Sequence, residues 1–197
     1  MPIEDIRKLK MRLRAQFRAI REEMDPAARA EADRSIADTV RTLWQYRASQ
    51  QILVYVSTPI EVDTYRIIKQ AWADGKRVAV PRCVPDTRNM EFYYIESMDD
   101  LSPGSFGVLE PQADPNRLVS DFSKAICLIP AFSYDYTGYR LGYGKGYYDR
   151  FLSRFTGYMV GICYSSCVRR YLPHGRFDRP VQLLVTENYI RRTERRQ

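Results

Sequence analysis

The sequence predicts an α/β fold: one three-layer domain, residues 1–197, with a mostly parallel sheet flanked by helices. Two observations carry this expectation. Short apolar, β-branched runs alternate along the chain with stretches of helical periodicity. One of those runs, AICLIP at 125–130, is continuously apolar, as a strand buried on both faces should be.

Taken in order, Ile3, Ile6, Leu9, Leu13, Phe17 and Ile20 recur every three or four residues, the spacing of an amphipathic helix. Asp25-Pro26 supplies an N-cap and a first-turn proline for a second helix reaching about Tyr46. These two form an N-terminal helical pair packed on the domain. Residues 51–56 (QILVYV) read as the first core strand. Asp63 then opens a helix that Gly75 ends, and residues 77–80 form a second strand. An aromatic strand is expected at 90–95, and the proline- and glycine-bearing stretch 99–117 reads as loop. After the 125–130 strand come a helix at about 147–155, a strand at 158–163 and a last strand near 183–185. Strands alternating with helices in this way describe a Rossmann-like domain.

Composition narrows the chemistry. No run of about 18 apolar residues is present, so no membrane partner is expected. The acidic start, Met1-Pro2-Ile3-Glu4-Asp5, lacks the apolar core of a secretory signal, and a cytoplasmic location is expected. Of the four cysteines, Cys127 and Cys163 lie in apolar runs and read as buried thiols. Cys163 and Cys167 have three residues between them, not the two of a zinc knuckle or redox pair. His174 is the only histidine, which argues against Ser-His or Cys-His nucleophilic chemistry. The net charge of +7 favours anionic partners, nucleic acid or a polyphosphate or polycarboxylate small molecule. Part of it sits in Arg191, Arg192, Arg195 and Arg196, which read as a solvated tail.

Four of the ten glycines, Gly138, Gly142, Gly144 and Gly146, crowd the segment before the helix at 147. A glycine-rich turn between strand and helix lets backbone N–H groups approach a phosphate. Arg140 and Lys145 add positive charge, and Asp149 offers a carboxylate for a divalent metal. The segment is not a Walker A loop, because no Ser or Thr follows a Gly-Lys pair at that spacing. Nor is it a dinucleotide fingerprint, since Tyr147 stands at the third glycine position. Composition alone leaves both phosphate binding and a flexible surface loop open. Arg7, Lys10, Arg14, Arg18 and Arg21 form a basic stripe roughly 100° round the first helix from its apolar face. A solvated face and the rim of a cleft would both produce it.

The segment Arg140-Leu141-Gly142-x-Gly144-x-Gly146-Tyr147-Tyr148-Asp149-Arg150 resembles the signature of the 5-formyltetrahydrofolate cyclo-ligase family, also called methenyltetrahydrofolate synthetase. Lys10, Leu13 and Arg14 resemble its N-terminal phosphate-contacting element, and Glu61 with Thr64 its folate-reading loop. Phe106-Gly107-Val108-x-Glu110-Pro111 resembles the segment before its Glu-Pro or Gln-Pro. The stretch ending at Asp178 resembles its second magnesium site, with Phe177 and Gln182 departing from the usual His and Asp. Together the matches run in order from Lys10 to Glu187.

The resemblance implies an ATP- and Mg2+-dependent enzyme that converts 5-formyltetrahydrofolate, mono- or polyglutamylated, into 5,10-methenyltetrahydrofolate. It implies ATP binding by Lys10, Arg14 and the loop residues Arg140, Leu141, Gly142, Tyr143, Gly144, Lys145, Gly146, Tyr147 and Tyr148. Arg140 and Lys145 act as the catalytic charges. Folate contacts fall on Val56, Glu61, Phe106 and Tyr147, and Mg2+ on Asp149 and Asp178. Two alternatives stand beside it: a nucleic-acid-binding module using the basic tail and the loop tyrosines, and a retuned ATP-dependent small-molecule enzyme on the same fold.

Overall fold

A computed structural model of the chain describes residues 5–193, the Phe106 side chain excepted. Ile3 of the first-helix stripe, and Arg195 and Arg196 of the basic end, lie outside the described residues. Helix α1 (Ile6–Glu22) starts where the Asp5 carboxylate accepts from the Arg7 N–H at 2.9 Å. Helix α2 (Pro26–Thr42) starts on Asp25, which accepts from Ala28 N–H at 2.9 Å. The expected helix to Tyr46 is broken at Leu43, which turns extended and buries itself before the short α3 (Trp44–Ala48). That turn drives Tyr46 inward, its hydroxyl donating to Asp74 at 2.8 Å.

The remaining elements follow as β1 (Gln51–Val54), α4 (Tyr65–Ala73), β2 (Arg77–Cys83), β3 (Met90–Ile95), β4 (Leu101–Pro103), β5 (Leu109–Pro111) and β6 (Ala125–Ile129). Then come β7 (Ser133–Asp135), β8 (Arg140–Leu141), α5 (Tyr147–Leu152), β9 (Tyr158–Ile162), β10 (Val168–Arg169), β11 (Leu183–Val185) and β12 (Ile190–Arg192). The main sheet runs β12-β11-β9-β6-β1-β2-β3. Pairing is parallel from β11 to β2, and the edge strands β3 and β12 are antiparallel. Every residue of β1 and β6 is buried, so both faces of the sheet's centre are covered.

Several short elements depart from the sequence-based expectation. The stretch 99–117, expected as loop, carries the antiparallel pair β4–β5. Strands β7, β8 and β10 form a second small sheet, and β12 adds an edge to the main one. Runs of two or three residues are too short to show periodicity, and pairing partners decide them. The small sheet is seated on the large one through Tyr134, whose ring occupies the space above Gly161, where a Cβ would come within 2.5 Å of it. Helix α5 ends at Leu152, earlier than the expected 155.

The order of crossovers places the functional crevice. From β1 the chain winds outward to β2 and β3, then returns to the other side of β1 as β6 and continues to β9 and β11. The winding direction therefore reverses between β1 and β6. In open α/β sheets a crevice opens beyond the carboxyl ends of the strands at such a reversal. Among the described residues, no helix is long and apolar enough to cross a membrane.

Candidate active site

A cavity of about 620 Å³ lies at that reversal. Its walls come from the segment after β1 (Val56, Thr58, Glu61), from Pro81 and Cys83 of β2, from Pro130 after β6, and from the glycine-rich segment. That segment is a tight loop because Gly144 and Gly146 hold left-handed backbone, at φ +88° and +77°. Gly146 caps α5, a helix of six residues, so its macrodipole is small and charge at this end comes mainly from side chains.

Those charges converge from distant parts of the chain. Arg14 on α1 donates through Nε to the Gly142 carbonyl at 2.8 Å, and its guanidinium lies over Gly144. Lys10, one turn earlier, holds Asp178 at 2.9 Å. Arg140, buried on β8, bonds Asp149 at 2.5 Å and the Arg179 carbonyl at 2.8 Å, tying the loop to the Asp178 segment. Burial acts to raise Asp178, but hydrogen bonds from Lys10 and Gly175 N–H, and the nearby Arg140 charge, hold it below the usual carboxylate range. Burial pulls Arg14 below its ordinary value, opposed by the charge of Asp178. Lys10, Arg14, Arg140, Asp149 and Asp178 thus form one cluster. Lys145 lines the cavity beside it. Among the described residues, no group of three or more His, Cys, Asp or Glu is arranged to hold a metal.

The other end of the cavity is a buried carboxylate. Glu61 accepts at Oε2 from the Thr58 N–H at 2.8 Å and the Thr58 hydroxyl at 3.0 Å. Its Oε1 accepts from the hydroxyl of Tyr143 at 2.6 Å. Tyr143, expected at the phosphates, therefore bridges the loop to Glu61. Burial, then the Glu61 charge, pushes the Tyr143 phenol well up, so it remains a donor. Tyr147 lines the cavity and donates to the Thr87 carbonyl at 3.3 Å. The Tyr148 hydroxyl is buried with no hydrogen-bond partner among the described residues. Val56 is buried in the wall, and the Phe106 side chain lies outside the described residues. Phe177 is 80% exposed, and Gln182 accepts from Met159 N–H at 2.8 Å, so the two residues that depart from the family pattern face solvent and the sheet. Asp63 bonds the Tyr65 N–H at 2.9 Å, the contact of a helix-start acid.

Sequence reasoning missed three contributors. Cys83 and Glu110 line the cavity together, Glu110 accepting from the Cys83 N–H at 3.2 Å. Burial and Glu110 push the Cys83 thiol up to about 11, so it stays protonated. Arg21 is the third. The basic stripe placed it on a rim, but it is 1% exposed, and it donates to the carbonyls of Ala131, Phe132 and Ile60 at 2.5, 3.0 and 3.1 Å. The signal was available, because Arg21 follows Leu13 and Phe17 at four-residue steps and so extends their buried stripe.

The model of the 5-formyltetrahydrofolate cyclo-ligase family matches residues 6–187. The chain belongs to this family. Among cyclo-ligases, it is 28% identical to a probable 5-formyltetrahydrofolate cyclo-ligase of Schizosaccharomyces pombe, over 79% of this chain and 84% of the relative. It is 27% identical to the Escherichia coli K12 cyclo-ligase, over 88% of this chain and 98% of that one. The solution structure of Aquifex aeolicus 5,10-methenyltetrahydrofolate synthetase superposes with a TM-score of 0.82 at 29% identity, covering 96% of this chain and 95% of that one.

In this cyclo-ligase the glycines of the loop are not equivalent. A Cβ at Gly144 would meet the Arg14 guanidinium at 3.0 Å, at a φ that side chains resist, whereas a Cβ at Gly142 meets open space. Gly144→Ala is expected to cost about 1–2 kcal/mol, lowering Tm by a few degrees. Gly142→Ala should leave Tm near wild type. Equal melting of the two variants would show that Arg14 does not pack on the loop as described.

Proposed function

We propose that this chain uses ATP to drive the cyclisation of 5-formyltetrahydrofolate, mono- or polyglutamylated, releasing 5,10-methenyltetrahydrofolate, ADP and phosphate. The reading rests on family membership and on one observation: a single cavity with a cation cluster at one end and the buried, hydrogen-bonded Glu61 at the other. Lys10, Arg14, Arg140 and Lys145 would take the triphosphate, with the loop from Leu141 to Tyr148 folding round it. Glu61 would read the pterin's amino and ring N–H groups, which replace the Tyr143 hydroxyl at Oε1. Val56, Phe106 and Tyr147 would pack on the folate.

The formyl oxygen then attacks the γ-phosphorus and ADP leaves. N10 closes on the activated carbon, its proton is lost, and the C–O bond to phosphate breaks. Little covalent work falls to the protein, whose part is alignment and charge neutralisation. Asp149 and Asp178 are a hard-oxygen pair at the edge of the cation cluster, and the bonds they make to Arg140, Lys10 and Gly175 use one oxygen each. They fit Mg2+, which takes one or two carboxylates alongside phosphate oxygens and supplies charge neutralisation when bound with ATP. Four free cysteines, three of them buried, suit a reducing compartment such as the cytoplasm. One core cluster runs from Leu13 to Val185, which supports a chain working as a single domain.

The test is the growth of methenyl absorbance on adding 5-formyltetrahydrofolate and Mg-ATP, with loss of rate on chelation. No growth with the wild-type chain would defeat the proposal. In the same assay, Glu61→Gln should raise the folate KM about tenfold or more, the loss of a charge-assisted hydrogen bond, and leave the ATP KM unchanged. The opposite pattern would move Glu61 to the nucleotide.

A further inference from the structure

From Lys10 onward the rim of α1 presents a cation at each turn, and three of these four are committed to protein partners. Lys10 holds Asp178, Arg14 holds Gly142, and Arg21 is buried on three carbonyls. Arg18 differs. Its guanidinium lines the cavity, 5.5 Å from the centre of the Phe132 ring. Its acidic neighbour is Glu22, one turn on at 3.6 Å, with the two side chains 51% and 53% exposed. A pair of that kind holds a side chain only weakly. The Arg18 head is therefore able to turn to an anion in the cavity without breaking a buried bond.

Its neighbours show where such an anion would be. Phe132 packs against Tyr143 with ring centres 4.6 Å apart, and the Tyr143 hydroxyl sits on Glu61. Arg14, one turn back on the same helix, sits on the next loop residue, Gly142. Arg18 thus stands at the junction of the cation cluster and the Glu61 carboxylate. If the triphosphate occupies the first and the pterin the second, as proposed above, the N5-formyl oxygen and the γ-phosphorus meet at this junction. The glutamate end of the folate lies at the far side of the molecule from the pterin and does not.

We infer that Arg18 is a further catalytic residue, contacting the phosphoryl group while it passes from ATP to the formyl oxygen; the inference rests on the reading of the two ends given above. As the new O–P bond forms, the P–O bond to ADP breaks and its electron pair stays on the β-phosphate oxygen. Negative charge then spreads over the equatorial oxygens in flight, which the planar guanidinium fork matches better than an ammonium does. Because that charge geometry exists only during transfer, Arg18 acts on kcat and not on ground-state affinity.

The experiment compares wild type with R18Q, R18K and E22Q, measuring kcat, both KM values, Tm, and positional isotope exchange in 18O-labelled ATP, which reports the first step alone. R18Q should lower kcat about 100- to 1000-fold, with both KM values within about threefold of wild type, exchange reduced in parallel and Tm unchanged. R18K should fall between, and E22Q should match wild type. An R18Q kcat within threefold of wild type, or a loss confined to either KM, overturns the inference while wild-type turnover leaves the proposed function standing. Wild type without turnover overturns both.

Discussion

An Arg21→Met variant is expected to melt well below the wild type, by roughly 6–12 °C. The guanidinium is sealed between α1 and the ends of two strands, where it satisfies the carbonyls of Ile60, Ala131 and Phe132. Its own helix is drawn in as well, since Arg29 donates to the Arg21 carbonyl at 2.9 Å. Methionine fills much of the volume and offers no donor, leaving buried acceptors unpaired at about 1–3 kcal/mol each. Part of that loss is offset because an arginine charge no longer has to be desolvated. A net cost of about 3 kcal/mol follows, and in a chain of this size each kcal/mol moves Tm by about 2–4 °C.

Function should suffer separately from stability. Ile60 precedes Glu61, and Ala131 and Phe132 follow β6, so Arg21 fixes both banks of the crevice. Folate KM should rise at a temperature where the variant is still folded. Melting within 2 °C of wild type would show that the carbonyls find other partners and that Arg21 is replaceable.

Arg140→Ala should lower kcat roughly 100- to 1000-fold, the scale for removing a preorganised charge from a developing anion. Arg140 acts through three contacts at once: Asp149, the Arg179 carbonyl and the face of Tyr148, whose ring centre is 6.0 Å away. Alanine therefore removes a cation from the end proposed for the triphosphate, leaves Asp149 without its Arg140 partner, and unties the loop from the segment carrying Asp178. Arg140→Lys restores charge but cannot span Asp149 and Arg179 together, so it should recover only part of the rate. The magnesium needed for half-maximal rate should rise in both variants, because the carboxylates are no longer held in register. Undiminished kcat in Arg140→Ala would remove it from catalysis and leave it a structural tie.

Much of the framework was readable locally. Residues 125–129 announced a strand buried on both faces because an unbroken apolar run has no polar face to present to solvent. Asp25 announced a helix start because a short carboxylate reaches the orphan N–H groups of a first turn. The glycine-rich segment was recognisable because glycine takes left-handed backbone, as found at 144 and 146, without the steric cost a side chain brings. These signals depend on neighbours within four residues.

Other features depend on topology, and no local pattern contains them. Lys10, Arg14 and Arg18 looked the same as any solvated stripe until α1 was laid along the carboxyl edge of the sheet, 128 residues in sequence from the carbonyl that Arg14 meets. Tyr143 looked like one more loop residue until the winding reversal between β1 and β6 brought Glu61 within 2.6 Å of its hydroxyl. Arg21 looked like a rim charge until the strand ends supplied three carbonyls to hold it. The sequence by itself determined which residues carry a positive charge, a carboxylate or a glycine's backbone freedom, through side-chain chemistry and short-range periodicity. Only the tertiary structure decided which of them meet, because the order of strands across the sheet sets those distances.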